Sequence, residues 1–216
     1  MKKQYAVFGL GKFGSSVAVT LEKLGCEVIA VDIVEEKVQD IADQVSYAMR
    51  ADLHDTGVIQ SLGLRNLDGA VVAISDNMES SIMATILSKE AGIPYVLAKA
   101  QDDLHASILK KVGADAVVFP EKEMGRRVAK SLVSTNFADW IELSPDYSMV
   151  ETEVPSNWVG KTLRELRIRE RYGFNVVGIK KGEKVDVNVG PEKPLEEGSI
   201  MIFIGSNEML SKFKGE

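Results

Sequence analysis

The chain has 216 residues, of which 45% are apolar and 27% are charged, a composition typical of a soluble globular protein with a buried core. Its net charge is −6, and its Lys and Arg residues are scattered, which argues against nucleic acid and anionic lipid surfaces as main partners. The single cysteine, Cys26, excludes an internal disulfide, and no segment approaches the ~20 apolar residues that span a bilayer, so we expect a cytoplasmic protein.

The first two thirds of the chain alternate short apolar runs, rich in β-forming residues, with helical patterns. "YAVFGL" precedes the helical "KFGSSVAVTLEKLG", and "EVIAVD" precedes "VEEKVQDIADQV". Later units pair "GAVVAIS" with "NMESSIMATILSKEAG", "YVLAKA" with "DLHASILKKVG", and "DAVVFP" with "MGRRVAKSLVST". Strands without polar alternation are buried on both faces, so the pattern predicts an α/β fold, a Rossmann-like doubly wound parallel sheet.

The alternation ends near "NFADWIELSPDYS". Shorter strand candidates follow, "SMVETEV", "NVVGIK" and "SIMIFIG", with one helical piece, "GKTLRELRI". A tail of this size suits a small α+β regulatory module. We therefore predict a nucleotide-binding domain over 1–135, a linker over 136–145, and a regulatory domain over 146–216.

A glycine-rich turn lies between the first predicted strand and its helix. Gly9, Gly11 and Gly14 form GxGxxG, and Asp32 closes the next strand. In this context Gly9 makes the tight turn, Gly11 lets phosphate approach the backbone, and Gly14 allows close helix–strand packing. The helix N-terminus attracts phosphate, and Asp32 is placed to bind the ribose hydroxyls and repel a 2′-phosphate. The pattern disfavours NADP and leaves NAD, ATP, ADP and AMP open.

Three further polar residues follow strands that end at the same predicted crevice. Asp52, after the third strand, either faces the adenine or caps the next helix. Ser75 and Asn77, after the fourth strand, either contact phosphate or ribose or serve as helix N-caps.

A catalytic constellation is not recognisable in the sequence. Hydride transfer needs an acid–base residue facing the nicotinamide, but neither His54 nor His105 lies in a motif that marks it as a base. Both are predicted to be surface or partner-facing residues. We therefore expect a nucleotide site without a reaction; an NAD-dependent oxidoreductase and a sensor of the NAD/NADH ratio remain the alternatives.

Several segments in order along nearly the whole chain carry a family resemblance: "VFGLGKFG", "VIAVD", "LGLRNLDGAVVAI", "YVLAKAQDDLHASILKKVGAD", "VFPEKEMGRRVA" and "GKTLRELRIRERYGFNVVGIKKG". They resemble the cytosolic regulatory subunits of Trk/Ktr-type bacterial potassium uptake systems, which combine an RCK N-terminal (TrkA-N) with an RCK C-terminal (TrkA-C) domain. The resemblance implies homodimers that assemble into an octameric ring at the inner face of the cell membrane. It further implies an integral-membrane potassium-translocating partner and two ring shapes set by ATP and ADP.

The resemblance also implies roles for individual residues. Gly9, Gly11 and Gly14 would line the phosphates, Asp32 would bind the ribose, and Lys12 and Phe13 belong to the same turn. Lys99 and Ala100 would lie beside the nucleotide, and Glu121 would hold Mg²⁺ or another divalent cation near the γ-phosphate, between neighbouring subunits. Lys12 stands where the Ktr-type pattern commonly has arginine, so it is a point charge without the bidentate fork. Attraction to a γ-phosphate remains an expectation, but the expectation of strong discrimination between ATP and ADP is weakened.

Some members of this family bind cyclic di-AMP in the TrkA-C dimer. The segment "IRERYGFNVVGI" matches that region. By resemblance, Arg169 would contact phosphate, and Asn175 with Val176 would contact the base.

Overall fold

The computed structural model describes residues 2–52, 66–133 and 139–213. The chain divides into two compact units, Met1–Glu121 and Lys122–Glu216. The domain limits 1–135 and 146–216 remain a prediction. None of the helices in the described part of the chain is long and apolar enough to cross a membrane.

The first unit contains a six-stranded parallel sheet. Its strands are β1 Gln4–Phe8, β2 Glu27–Asp32, β3 Tyr47–Arg50, β4 Gly69–Val72, β5 Val96–Lys99 and β6 Ala116–Val118. The helices that follow its strands are α1 Lys12–Lys23, α2 Glu35–Ile41, α3 Met78–Glu90, α4 Asp103–Lys111 and α5 Pro120–Val133, the last continuing into the second unit.

The strand order is β3-β2-β1-β4-β5-β6, and every pair is parallel. This is the order of a Rossmann-like sheet, so the predicted fold class is confirmed. The order reverses between β1 and β4, which places a crevice at the carboxyl ends of these two strands. That crevice lies where the glycine-rich turn leaves β1.

Two apolar cores hold the first unit together, one on each face of the sheet. Alternating residues of β1 divide between them: Phe8 packs with Ile93 and Leu109, whereas Val7 packs with Val28 and Ile41. All four residues of β4 are buried. Burial on both faces explains why the strands read as apolar runs without polar alternation.

The second unit contains a five-stranded antiparallel sheet in the order β10-β9-β11-β8-β7. The strands are β7 Asp139–Glu142, β8 Tyr147–Glu153, β9 Asn175–Lys181, β10 Lys184–Asp186 and β11 Ile200–Ser206, and the short helices are α6 Leu163–Leu166, α7 Ile168–Tyr172 and α8 Asn207–Lys212. Stacked Phe174 and Phe203, with ring centroids 4.6 Å apart, lie in its core. This small α+β unit was predicted, but β7 lies inside the predicted linker and pairs with β8.

The histidine prediction requires a correction. His105 is not a surface residue: its side chain is completely buried in the first turn of α4, and its Nδ1 accepts a 3.4 Å hydrogen bond from the Gln101 N–H. The prediction was wrong because this first-turn position of α4 faces the interior of the first unit. His54 lies outside the described residues.

Candidate functional site

Two of the three glycines in the turn are required by the fold itself. Gly9 has φ +92°, a conformation that other residues rarely adopt, and an added Cβ would lie 3.0 Å from the backbone of Ala73. A Cβ on Gly14 would lie 1.8 Å from the carbonyl oxygen of Gly9. A side chain at either position would disrupt the junction between β1 and α1.

Gly11 is different, because neither its backbone nor its packing requires glycine. Its φ of −69° and ψ of −179° are open to any residue, and no heavy atom lies within 4 Å of an added Cβ. Gly11 is also the N-cap of α1, where it has no side chain to cap the first N–H groups. An open space in front of an uncapped helix N-terminus has the polarity that binds anions.

Asp32 at the end of β2 is tied to the same turn. One of its carboxylate oxygens accepts a 2.6 Å hydrogen bond from the Leu10 N–H, and the other accepts a 2.9 Å bond from the Val34 N–H. Lys37 Nζ lies 3.6 Å from the carboxylate, and Asp32 is only 8% exposed. A carboxylate has about four lone-pair positions. Asp32 therefore both positions the turn and retains acceptor capacity.

A cleft of about 530 Å³ lies at this crevice. Six of the predicted nucleotide residues are among those lining it: Gly9, Gly11, Asp32, Asp52, Ser75 and Asn77. Ile33 and Val34 also line the cleft and are 53% and 40% exposed. Large apolar side chains that remain exposed at the wall of a cleft form a surface on which a flat, partly apolar ring can stack.

The alternatives for the polar wall residues are partly decided by the hydrogen bonds. Asn77 is the N-cap of α3, where its side chain accepts a bond from the Ser80 N–H. Ser75 has a different partner, because its Oγ lies 3.4 Å from Lys99 Nζ. The helix that Asp52 would cap lies outside the described residues, so both interpretations of Asp52 remain open.

Lys99 and Glu121 form an ion pair beside the cleft. Lys99 Nζ donates to Glu121 Oε1 over 2.5 Å and lies 6.0 Å from the centre of the Phe13 ring. The lysine side chain is 8% exposed and the glutamate side chain is 70% exposed. The hydrogen bond from Lys99 lowers the pKa of Glu121 below its ordinary value of 4.5.

The remaining predicted residues lie around this site or in the second unit. Lys12 is exposed at the first position of α1, whereas Ala100 is buried and its N–H bonds to the Val118 carbonyl. In the second unit, Arg169 is exposed on α7, and exposed Asn175 and half-buried Val176 begin β9. These three residues lie on either side of Gly173, the C-cap of α7.

The sequence interpretation missed the apolar and basic residues just beyond Asp32. Ile33, Val34 and Lys37 all line the cleft. The sequence feature that could have revealed them is the apolar pair Ile33 and Val34 between the end of β2 and the start of α2, where a short polar turn is expected. Two large apolar residues exposed at such a turn indicate a surface that contacts a ligand rather than the protein core.

Comparison with known proteins places the two units in known families. Residues 5–120 match the TrkA-N domain, and residues 149–215 match the TrkA-C domain. The chain is 43% identical to Ktr system potassium uptake protein C of Bacillus subtilis (strain 168) over 214 residues, which are 99% of this chain and 97% of that protein. It is 37% identical to Ktr system potassium uptake protein A of the same organism, over 99% and 96% of the two chains.

Solved structures share the fold at lower identity. The GsuK channel bound to NAD aligns with a TM-score of 0.66 at 17% identity, covering 97% of this chain and 38% of the channel chain. GsuK bound to ADP aligns with a TM-score of 0.53 at 15% identity, over 62% and 35% of the two chains. At these identities the likeness concerns the fold.

Proposed function

The chain belongs to the family of Ktr-type potassium uptake regulatory subunits, in which a TrkA-N domain precedes a TrkA-C domain, and from this premise we propose that it senses adenine nucleotide. In this proposal ATP and ADP bind the cleft of the first unit and favour different shapes of a cytosolic assembly. The assembly gates an integral-membrane potassium-translocating subunit at the inner face of the membrane. The chain itself performs no reaction.

The observation that carries this proposal is Gly11. Gly9 and Gly14 are explained by backbone conformation and packing, but the space beside Gly11 is open and its backbone is ordinary. The absence of a side chain at this position lets a ligand approach the first N–H groups of α1 closely. A phosphate group at the N-terminus of α1 fits the polarity of that position.

The rest of the cleft suits a nucleotide. Its volume of about 530 Å³ lies within the usual range for small-molecule sites. Exposed Ile33 and Val34 offer an apolar surface to the adenine, and Asp32 has lone pairs left for ribose hydroxyls. Because Asp32 carries a negative charge, a 2′-phosphate would be repelled, so NADP is disfavoured.

A divalent cation, Mg²⁺ for example, fits Glu121 only together with other ligands. Within the described ranges, no group of three or more His, Cys, Asp or Glu residues could hold a metal ion. Mg²⁺ is commonly bound by one or two carboxylates plus phosphate oxygens and water. Glu121 would therefore supply one carboxylate, and a bound triphosphate or a neighbouring subunit would supply the other oxygens.

Regulation in this proposal follows from differential affinity. A nucleotide moves an assembly between two shapes only to the extent that it binds one of them more tightly. The assembly proposed from the resemblance is an octameric ring of dimers. In the second unit, Arg169, Asn175 and Val176 are proposed to bind cyclic di-AMP as a separate signal.

One alternative deserves a direct test, because the GsuK channel, which shares the fold, has been solved with NAD bound. A sensor of the NAD/NADH ratio would use the same crevice. An NAD-dependent oxidoreductase is less consistent with the site, since His105 is buried in α4 and is not among the residues that line the cleft.

Competition binding separates these functions. The full chain is equilibrated with a fluorescent adenine nucleotide, which is then displaced by ATP, ADP, NAD or NADH. We expect ATP and ADP to displace the probe at lower concentrations than NAD and NADH. Tighter binding of NADH would favour the redox sensor, consumption of NADH with a carbonyl substrate would favour the oxidoreductase, and no binding of any nucleotide would contradict the proposed site.

A further inference from the structure

A further pocket, the lysine pocket, lies in the second unit between the β9–β10 hairpin and the segment that leads to β11. Its volume is about 350 Å³, at the small end of the range for small-molecule sites. Its charged lining residues are Lys181, Lys184, Lys193, Asp186 and Glu196. Three ammonium groups and two carboxylates thus give the pocket an excess positive charge, in a chain whose net charge is −6.

The two carboxylates each hold one lysine in place. Glu196 pairs with Lys181, and Asp186 Oδ2 accepts a 3.2 Å hydrogen bond from Lys193 Nζ. The pKa of Glu196 lies below its ordinary value of 4.5, chiefly through the hydrogen bond from Lys181 and also through the charge of Lys193. Both ammonium groups therefore lie near one carboxylate. Because an ammonium group has three N–H donors, each paired lysine retains donors for another acceptor.

Lys184 adds a positive charge that the two carboxylates do not neutralise. It lies directly opposite Lys181 in the antiparallel pairing of β10 with β9, so the two side chains project from the same face of the hairpin. Among the residues that the structure describes, Lys184 has no ion-pair partner. Like charges directly opposite each other in a sheet are destabilising. An anion bound between the two ammonium groups would offset this repulsion.

The chemistry of the lining indicates the class of anion. Ammonium groups that converge on a concave site suit a compact anion with several acceptor oxygens, and a phosphate group is such an anion. Ile179, Val185 and Pro194 supply apolar lining, and Ser199, which is only 2% exposed, adds a hydroxyl group. A phosphate group alone would fill only part of about 350 Å³, so room remains for the organic part of a small phosphate ester.

The lysine pocket is separate from the residues proposed to bind cyclic di-AMP. Asn175 begins β9 and Lys181 ends it, which separates them by about 20 Å along an extended strand. Arg169 and Val176 are not among the residues that line the pocket.

We propose that the lysine pocket binds a phosphate group through Lys181, Lys184 and Lys193. Lys184 supplies the charge that is not neutralised within the protein, and the other two lysines contribute the N–H donors that their carboxylates leave free. The phosphate group belongs either to inorganic phosphate or to a small phosphate ester, and the experiment distinguishes these two sources. The site is independent of the nucleotide cleft, so its failure would leave the proposed function untouched.

NMR of the full chain with labelled isoleucine and valine methyl groups reports on each site separately. Ile179 and Val185 report on the lysine pocket, whereas Ile33 and Val34 report on the nucleotide cleft. Inorganic phosphate or phenyl phosphate is added at constant ionic strength, and both are expected to shift the Ile179 and Val185 signals. Tighter binding of phenyl phosphate would identify an ester as the occupant, and equal affinities would identify the free ion. Unshifted Ile179 and Val185 signals with both probes would overturn the proposal.

Charge variants test the role of the lysines. Lys184→Gln is expected to weaken phosphate binding roughly three- to fivefold, because the lost contact is exposed to solvent. Glu196→Gln removes a competing carboxylate that is 53% exposed, and is expected to strengthen binding roughly twofold. Lys212→Gln is the matched control, because it removes the same charge from an exposed lysine of the second unit that does not line the pocket. Equal losses of phosphate affinity in Lys184→Gln and Lys212→Gln would overturn the proposal.

Discussion

At the scale of single residues, the turn and Asp32 form one hydrogen-bonded unit. Both carboxylate oxygens of Asp32 accept backbone N–H groups, from Leu10 and Val34, in a position that is 8% exposed. The sequence pattern predicted a ribose-binding acid. The structure shows that the same acid accepts a hydrogen bond from the glycine-rich turn, so the proposed ribose binding must be separated from this structural role by experiment.

Asp32→Ala is expected to lower both stability and nucleotide affinity. Two backbone N–H groups lose their acceptor, which costs about 1–3 kcal/mol in the free energy of unfolding. Nucleotide affinity should fall by at least about tenfold through the loss of charge-assisted hydrogen bonds to the ribose. Asp32→Asn, which keeps one acceptor oxygen, should recover part of the stability and less of the affinity.

Denaturant unfolding and calorimetry check the two effects, with Asp43→Ala, an exposed aspartate, as the control. ATP and ADP affinities equal to those of the wild type in a folded Asp32→Ala protein would show that this acid does not bind the ribose.

His105 makes a separate prediction about pH. Burial lowers the pKa of His105 below its ordinary value of 6.5, an effect that nearby Asp102 partly opposes. Because the unfolded chain then takes up the proton at higher pH than the folded chain, this contribution to stability is complete above about pH 6.5. It is lost as the pH falls from there toward the lower pKa of the folded state.

Unfolding free energies measured by denaturant at pH 7.5, 6.5 and 5.5 test this sign. The wild type should lose stability over this range, and His105→Gln should show a flatter dependence because it cannot titrate. Equal slopes in the two proteins would show that His105 contributes nothing to the pH dependence.

At the scale of elements, the parallel sheet was predictable because its four central strands are mostly buried and therefore form apolar runs in the sequence. The buried face of α3 was harder to predict from the sequence, because it consists of small and mostly polar residues. These are Ser81, Ala84, Thr85 and Ser88, whose small size allows close packing. Thr85 and Ser88 satisfy their hydroxyl groups on carbonyls one turn earlier. Such local bonds hide polar residues in a core, and no periodicity of hydropathy reveals them.

Contacts between distant residues were the least predictable part of the site. The pairing of Lys99 with Glu121, for example, joins residues that are 22 positions apart in the chain. The six residues that share the cleft wall were predictable because parallel strands end at one edge of the sheet. Side-chain partners, in contrast, depend on packing that the sequence does not display.

The α7–β9 element carries a prediction for the second unit. Arg169 is exposed on α7, so its guanidinium group is hydrated and can form charge-assisted hydrogen bonds to a phosphate group. Arg169→Ala should weaken cyclic di-AMP binding at least about tenfold and leave ATP binding unchanged. Isothermal titration with both ligands checks this, and Arg164→Ala, whose arginine pairs with Glu192, is the control. Equal cyclic di-AMP affinities in wild type and Arg169→Ala would reject this site.

At the scale of the whole molecule, exposed apolar residues on two helices support the proposed association of the chain. Leu104 on α4 is 67% exposed, and Met83 and Ile86 on α3 are only partly buried. These two helices therefore carry more apolar residues than the face packed on the sheet requires. Apolar side chains left over after the core is filled commonly mark interfaces between subunits.

Light scattering in the presence of nucleotide is expected to show dimers that assemble into an octamer. Leu104→Glu should lower the average mass, because a charge would be buried in the interface, whereas Lys110→Glu on the exposed side of the same helix should not. A monomer at micromolar concentration, with nucleotide present, would contradict the proposed assembly.

The central claim, that the open space beside Gly11 receives the phosphates of a nucleotide, is tested most directly by Gly11→Ala. The added methyl group meets no heavy atom within 4 Å beyond its chain neighbours, and the φ of −69° suits alanine. The thermal unfolding midpoint should therefore fall only slightly, because alanine is a poorer N-cap than glycine by about 1 kcal/mol or less. Gly190→Ala, which likewise adds a Cβ to open space with an ordinary φ, is the matched control in the second unit. Calorimetric titration should show ATP and ADP affinity reduced at least about tenfold in Gly11→Ala, the loss of roughly one charge-assisted contact, and unchanged in Gly190→Ala. Wild-type affinity for both nucleotides in a folded Gly11→Ala protein would contradict the account.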